Sequence, residues 1–219
     1  MRLEWAIYTC ILVIAIFLRS YELSSRAMHH DESLHAYYSW ELFQGTGLIH
    51  NPMLHGPLQM ELTSFIFFIF GDTDATSRLL YVIAGSILVI LPFLLRDLLG
   101  KYGAISVSLL LALSPTMVYF SRFARNDILM GAFAFGIVIA MWKYLLYGHK
   151  RYLYIMSALL ALSFSTKESA YLVVGTLGLY LTASTLYETL KPSISDPHTN
   201  SQSYPSFAWF YTVKIYRGI

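Results

Sequence analysis

"EWAIYTCILVIAIFLR", residues 4–19, decides the fold. From Trp5 to Leu18 it carries no charge, and Glu4 and Arg19 mark its two ends. A helix needs about 20 mostly apolar residues to cross the hydrocarbon, and fewer where flanking side chains snorkel. The stretch therefore predicts a first span over about residues 3–21. The next stretch, "LRSYELSSRAMHH", lacks the small-residue cleavage site of a secretory signal, so this helix is read as retained. Composition agrees. Only 13% of the 219 residues are charged, against about 25% in soluble domains. The hydrophobic share is 56%, with 17 tyrosines and 14 phenylalanines, and so little charge does not cover a soluble surface. The net charge of +2 gives no reason to propose nucleic acid as a partner. The single cysteine, Cys10, lies inside the first apolar run, so a disulfide framework and a thiolate metal site are excluded.

Outward from this first span, charges punctuate further apolar runs: Leu79–Leu95, Gly103–Ser121, Ile128–Trp142, Tyr152–Thr166 and Ser169–Tyr187. The expected fold class is all-α, a multi-pass (polytopic) membrane protein with about six transmembrane helices. "RDLLGKYG" and "LYGHKRY" are too short to hold a domain and suit turns between antiparallel helices. Lys and Arg in short loops set orientation. Arg96 and Lys101, then Lys143, Lys150 and Arg151, fall on the same side as Met1, which is expected to be cytoplasmic. Residues 21–78 are then outside.

That outer segment carries two candidate surface helices. "DESLHAYYSWELFQ" spaces Leu34, Tyr37, Tyr38 and Leu42 at helical intervals, with Asp31 suited to an N-cap. Gly45, Gly47, Asn51, Pro52, Gly56 and Pro57 break the chain. "LQMELTSFIFFIFG" then predicts a helix too short to span and placed along the membrane surface. Residues 1–187 form the expected transmembrane core, 188–206 a polar Pro/Ser-rich loop, and 207–219 the start of a further interfacial or membrane segment. A larger membrane protein would be expected to continue from there, so a fragment or truncated product is anticipated.

Charge at membrane depth costs about 2.5–3.5 kcal/mol on insertion scales, so the polar clusters call for a reason. His29, His30, Asp31, Glu32 and His35 follow the first span; Arg122, Arg125 and Asp127 lie in "SRFARND"; Lys167 and Glu168 lie in "STKES". All fall on the proposed outer face, with His50 and His55. Asp31 and Glu32 either cap a surface helix, at about 0.3–1 kcal/mol, or supply a catalytic base. A divalent metal ion is a third reading, with Glu32 and His35 at i and i+3 and His29 or His30 nearby. Arg122 and Arg125 either anchor the interface or grip phosphate oxygens through the planar guanidinium fork. Asp127 is then their partner or a second catalytic carboxylate. Lys167 is a third cation or the ion-pair partner of Glu168.

"HHDESLHAYYSWEL", "HGPL", "SRFARND" and "TKES", in this order, resemble the GT-C glycosyltransferases over about residues 1–185. Within that superfamily the chain is most similar to the branch of protein O-mannosyltransferases and lipid A aminoarabinose transferases. More narrowly, it looks like the flippase-activity-associated family linked to archaeal N-glycosylation clusters. The resemblance implies transfer of a sugar from a polyprenyl (dolichyl)-phosphate carrier on the extracytoplasmic face of the cell membrane. Asp31 would be the general base or the carboxylate that positions the acceptor, and Glu32 would support it, or bind a metal where one is used. Asp127 and Arg125 would match the acidic and basic residues of the second outer loop. Lys167 would lie near the carrier phosphate, and His55 in a family motif. The acceptor would be protein, glycan or lipid. A non-catalytic protein that binds or flips lipid phosphate, amid membrane lipids, fits the same residues.

Overall fold

The computed structural model describes residues 2–48 and 54–190. The expected chain break at Asn51 and Pro52, His50, the expected 188–206 loop beyond Leu190 and the segment 207–219 lie outside them, while residues 188–190 of that loop instead continue a helix. The chain divides into two compact units, residues 1–170 and 171–219. Among the described residues there are helices and no strands.

The first unit holds α1 (Arg2–Ser20), α2 (His30–Phe43), α3 (Leu58–Phe70), α4 (Asp74–Ile90), α5 (Arg96–Leu113), α6 (Pro115–Ser121), α7 (Asp127–Tyr147) and α8 (Lys150–Phe164). The helix α9 (Ala170–Leu190) belongs almost wholly to the second. Among the described residues, four stretches are long and apolar enough to cross a membrane: Leu3–Ser20, Asp74–Leu113, Asp127–Tyr147 and Ala170–Tyr187. The expectation of six divides the second of these and adds residues 152–166. At 1.5 Å per residue, that 40-residue run is about 60 Å long, twice a hydrocarbon core. Pro92 tightens it into a 3₁₀ turn over Leu91–Leu95, and Gly100 breaks it with φ +70°, a conformation that glycine adopts without a Cβ penalty. The helix near residues 152–166, α8, has only 15 residues.

Helix α4 is the axis of the unit. One face of it packs Leu80, Tyr81, Ala84 and Leu88 against Ile66 of α3 and Ile128 and Leu129 of α7. Val89 meets Ile11 and Ala15 of α1 and Ala112 of α5. Gly85 is needed at the crossing, because a Cβ there would run into the Ser121 side chain and come within 3.2 Å of Arg19 Nε. Arg19 itself is fully buried. It donates to Ser121 Oγ at 3.1 Å and to the carbonyls of Ala15, Ala112 and Leu111 at 3.1, 3.2 and 2.9 Å. Beyond flanking the first span, it thus satisfies carbonyls orphaned at the end of α5.

Two local expectations for the 21–78 segment are corrected. The N-cap of α2 is His29, not Asp31: His29 Nδ1 accepts from the Asp31 N–H at 3.3 Å, and Glu32 accepts from the His29 N–H at 3.0 Å. Helix α2 also buries Glu32, His35 and Ser39 rather than the stripe that includes Tyr37, which is exposed. The polar face turns inward because α4 offers it an ionic partner. Helix α3 buries Gln59, Met60, Thr63, Ile66 and Phe67 and leaves Phe65, Phe68, Ile69 and Phe70 exposed.

Replacing Gly85 with Ala should overpack the α1–α4–α6 crossing and cost about 1–3 kcal/mol. Thermal unfolding of the purified protein in detergent checks this; an unchanged midpoint would mean that the helices are free to separate there.

Candidate functional site

Glu32 builds the frame. Its carboxylate is wholly buried and takes five hydrogen bonds. Arg78 gives two, Nε to Oε1 at 2.9 Å and NH2 to Oε2 at 3.1 Å. Arg26 adds one at 2.8 Å, and the backbone N–H groups of His29 and Ala124 add two at 3.0 and 3.1 Å. Burial pushes its pKa up, but the Arg78 hydrogen bonds and the two N–H groups outweigh this and hold it below the usual carboxylate range. Arg78 NH1 donates onward to the carbonyls of Leu23 and Arg26 at 2.7 and 3.1 Å. One ion pair thus joins the chain after α1, the start of α2, the start of α4 and the turn before α7.

With Ala124 held there, its neighbours Arg125 and Asp127 face Asp31. Arg125 NH1 lies 3.1 Å from Asp31 Oδ2, and Arg125 Nε lies 3.5 Å from Asp127 Oδ2. Lys167 Nζ donates to Asp127 Oδ1 at 2.6 Å. The result is an alternating row, Asp31–Arg125–Asp127–Lys167, drawn from three segments. Asp31 (38%) and Arg125 (37%) are open to solvent, and Lys167 (20%) less so.

A fourth segment closes on this row. Gly56 and Leu58 donate their N–H groups to the carbonyls of Thr166 and Ser165 at 3.1 and 3.0 Å. Gly56 cannot carry a Cβ, which would collide with the Ser165 carbonyl. His55, held at φ +63°, places Nδ1 2.7 Å from Glu168 Oε2. Glu168 is therefore the partner of His55, and Lys167 is released to Asp127. The Glu168 carboxyl is held below its usual range by its own backbone N–H and by His55, with Lys167 contributing less.

His35, one turn after Asp31, is 5% exposed. Burial drives its pKa down to about 4, helped by His55 and Arg125 and opposed by Asp31 and Asp127. It is a neutral imidazole at neutral pH, among the charges of the row.

Of the sequence-derived candidates, Asp31, Arg125, Asp127 and Lys167 converge, with His55 beside them through Glu168. Glu32 lies behind the row, sealed by its donors. Arg122 turns away: its guanidinium donates to the carbonyls of Leu18 and Glu22 at 2.9 and 3.2 Å, closing the end of α1. The set Glu32, His35 and His30 does not fit a metal ion. Both Glu32 oxygens are committed to donors, and among the described residues no three His, Cys, Asp or Glu side chains converge. Arg78 is the residue that sequence reasoning missed. Its signal was present in "DATSRLLYV", an arginine opening an apolar run where an unpaired charge is costly.

The sequence model of the family described as dolichyl-phosphate-mannose-protein mannosyltransferase matches residues 54–198, two thirds of the chain. The chain belongs to that family. No curated protein matches it. The family match takes in His55, Arg78, Arg125, Asp127 and Lys167 and stops short of Asp31 and Glu32, which reach the site through their contacts with matched residues. With its apolar helices, the chain is a membrane protein of a glycosyltransferase family.

Replacing Arg78 with Met should leave the Glu32 charge buried and short of its main partner, at a cost of about 3–5 kcal/mol. Denaturant or thermal unfolding in detergent measures it. A second expectation concerns pH. An unfolded histidine titrates near 6.5, whereas folded His35 titrates near 4, so the folded state binds fewer protons between those values. His35 then stabilises the fold above pH 6.5, and that contribution, about 3 kcal/mol at most, is lost as pH falls from 6.5 to 4. Unfolding midpoints across this window should slope downward towards acid in the native protein and flatten in His35→Leu.

Proposed function

We propose that this chain is a glycosyltransferase that moves a sugar from a polyprenyl (dolichyl)-phosphate donor to an acceptor on the extracytoplasmic face of the cell membrane. The alternating row Asp31–Arg125–Asp127–Lys167 carries the reading. In the transfer, an acceptor hydroxyl or amide attacks the sugar C1. The bond from C1 to the phosphate oxygen breaks, and the lipid phosphate leaves with the bonding electrons. The acceptor's proton needs a base, and the leaving phosphate needs cations. Asp31 is the base, because its carboxylate is open to solvent and held by a single Arg125 contact. Arg125 and Lys167 receive the phosphate charge, moving off their carboxylate partners to do so. Asp127 holds these two cations apart at the spacing of its two oxygens. His55 steadies the Lys167 segment through Glu168, and Glu32 acts behind the row as a positioning residue. Six membrane passes, with α2 and α3 at the outer surface and active face outward, complete the proposal, as do a protein, glycan or lipid acceptor and a place in the protein O-mannosyltransferase branch.

A second reading is a protein that binds or flips the carrier without chemistry. It is favoured by the pairing of Arg125 and Lys167 with carboxylates, which lets a phosphate exchange in and out of the row with no bond broken.

Replacing Asp31 with Asn separates the two. As a transferase, the protein should release dolichyl phosphate from dolichyl-phosphate mannose 10²–10⁴-fold more slowly while binding the carrier within about twofold of native. Release in proteoliposomes supplied in turn with a hydroxyl-bearing peptide, an oligosaccharide and a lipid alcohol as acceptor, and carrier binding by native mass spectrometry, are the two measurements. Unchanged release in Asp31→Asn would remove Asp31 as base, and a native protein that binds but never releases would establish the second reading.

A further inference from the structure

A second feature of the first unit lies away from the charged row and has no part in the proposed transfer. Helices α4, α7 and α8 enclose a groove of about 720 Å³, within the range of about 300–1,000 Å³ typical of small-molecule sites. Its floor is cut by small residues: Ala132, Gly136 and Ala140 follow one another at four-residue intervals along α7, and Ala84 faces them from α4. Four-residue spacing places these three on one face of α7, so the groove follows that helix, and its open walls are the exposed side chains of Ile83 and Ile87 on α4 and Ile155 on α8. At Gly136 the space a side chain would take is filled by Leu159 of α8, whose Cδ1 a Cβ would approach to 2.9 Å, so the glycine there lets α7 and α8 pack closely beneath the groove. From Leu129 to Lys143 the lined stretch of α7 is about 21 Å long at 1.5 Å per residue, a little more than one leaflet of a hydrocarbon core about 30 Å thick.

The two ends of the groove differ. Near Leu129 and Leu62 it is wholly apolar, and at the far end it is lined by Lys143, Arg151 and Tyr152. Lys143 Nζ is 3.8 Å from Asp97. Arg151 donates to the Tyr152 hydroxyl at 3.1 Å and lies 4.9 Å over that ring, and no carboxylate lies within ion-pair distance of it among the described residues. An alkyl tail entering from the charged row would end against two cations. A lipid entering from the other end would place an anionic headgroup on those cations and an acyl chain in the groove, as basic pockets between transmembrane helices do.

We propose that this groove is a binding site for an anionic glycerophospholipid, its phosphate on Lys143 and Arg151 and one acyl chain along Ala132 and against Ile83, Ile87 and Ile155. The polarity of the groove fixes the orientation of the lipid, with its headgroup at the end of α7 opposite Asp127. The site does not depend on the transferase reading, since none of its residues belongs to the row.

The test uses the full chain reconstituted in vesicles of phosphatidylglycerol mixed equally with phosphatidylcholine, then released and weighed by native mass spectrometry. Phosphatidylglycerol should be retained at least fivefold over phosphatidylcholine. Arg151→Gln, a change at an exposed side chain, should erase that preference without lowering the unfolding midpoint. Ala132→Leu, at a partly buried position of the lining, should lower retention of both lipids by narrowing the groove. Retention that ignores headgroup charge and Arg151→Gln would overturn the proposal. So would displacement of phosphatidylglycerol by dolichyl phosphate that Arg151→Gln leaves unchanged, which would assign the groove to the carrier's tail. Retention of no lipid at all would also overturn it, leaving the groove to further protein. Release of dolichyl phosphate from dolichyl-phosphate mannose, measured on the same preparation, reports separately on the transferase reading.

Discussion

The site exists because a buried carboxylate and a buried guanidinium meet where four stretches of chain cross. Two charges removed from water repay their desolvation only when geometry is good and the remaining donors and acceptors are filled. Glu32 and Arg78 meet that condition through the backbone: His29 and Ala124 donate to the acid, while Leu23 and Arg26 accept from the base. Each of these partners belongs to an irregular segment. The pair therefore orders loops more than it joins helices, and the loops carry the exposed charges.

This frame imposes a division of labour on neighbouring residues. Asp31 and Glu32 are adjacent and chemically alike, yet one faces solvent and Arg125 while the other is sealed. Arg122 and Arg125 divide similarly, one closing α1 and the other entering the row. Successive positions on a helix lie about 100° apart, so an acidic dipeptide at the start of α2 cannot point both carboxylates the same way. Tandem charges in such a turn give one residue to architecture and one to chemistry.

The apolar runs of the long helices were legible from the gaps between charges, as was the break near Gly100, because "RDLLGKYG" carries both polar residues and glycines. Convergence of Asp31, Arg125, Asp127 and Lys167 was anticipated as residue types, though not as contacts. Two things were hidden. The buried face of α2 is polar, and periodicity chooses apolar residues; only Arg78, 46 positions away from Glu32, makes the polar choice favourable. The role of "HGPL" was equally closed to sequence reading, since Gly56 is required by a carbonyl more than a hundred residues later. Both are long-range demands, and local pattern does not encode them.

That last contact bears on the order in which the protein assembles. Ser165 and Thr166 close α8, and the donors that satisfy their carbonyls come from Gly56 and Leu58. The helix is in effect capped by a loop synthesised long before it. Segment 54–58 must therefore wait, undocked, while α4 to α8 are made and packed, and the loop-closure entropy of that distant contact is met late. Lys167 adjoins the capped end, so its placement on Asp127 belongs to the same late event. The first unit would acquire its helical core before it completes its charged row, and a nascent chain interrupted before α8 would hold Asp31, Arg125 and Asp127 without the second cation.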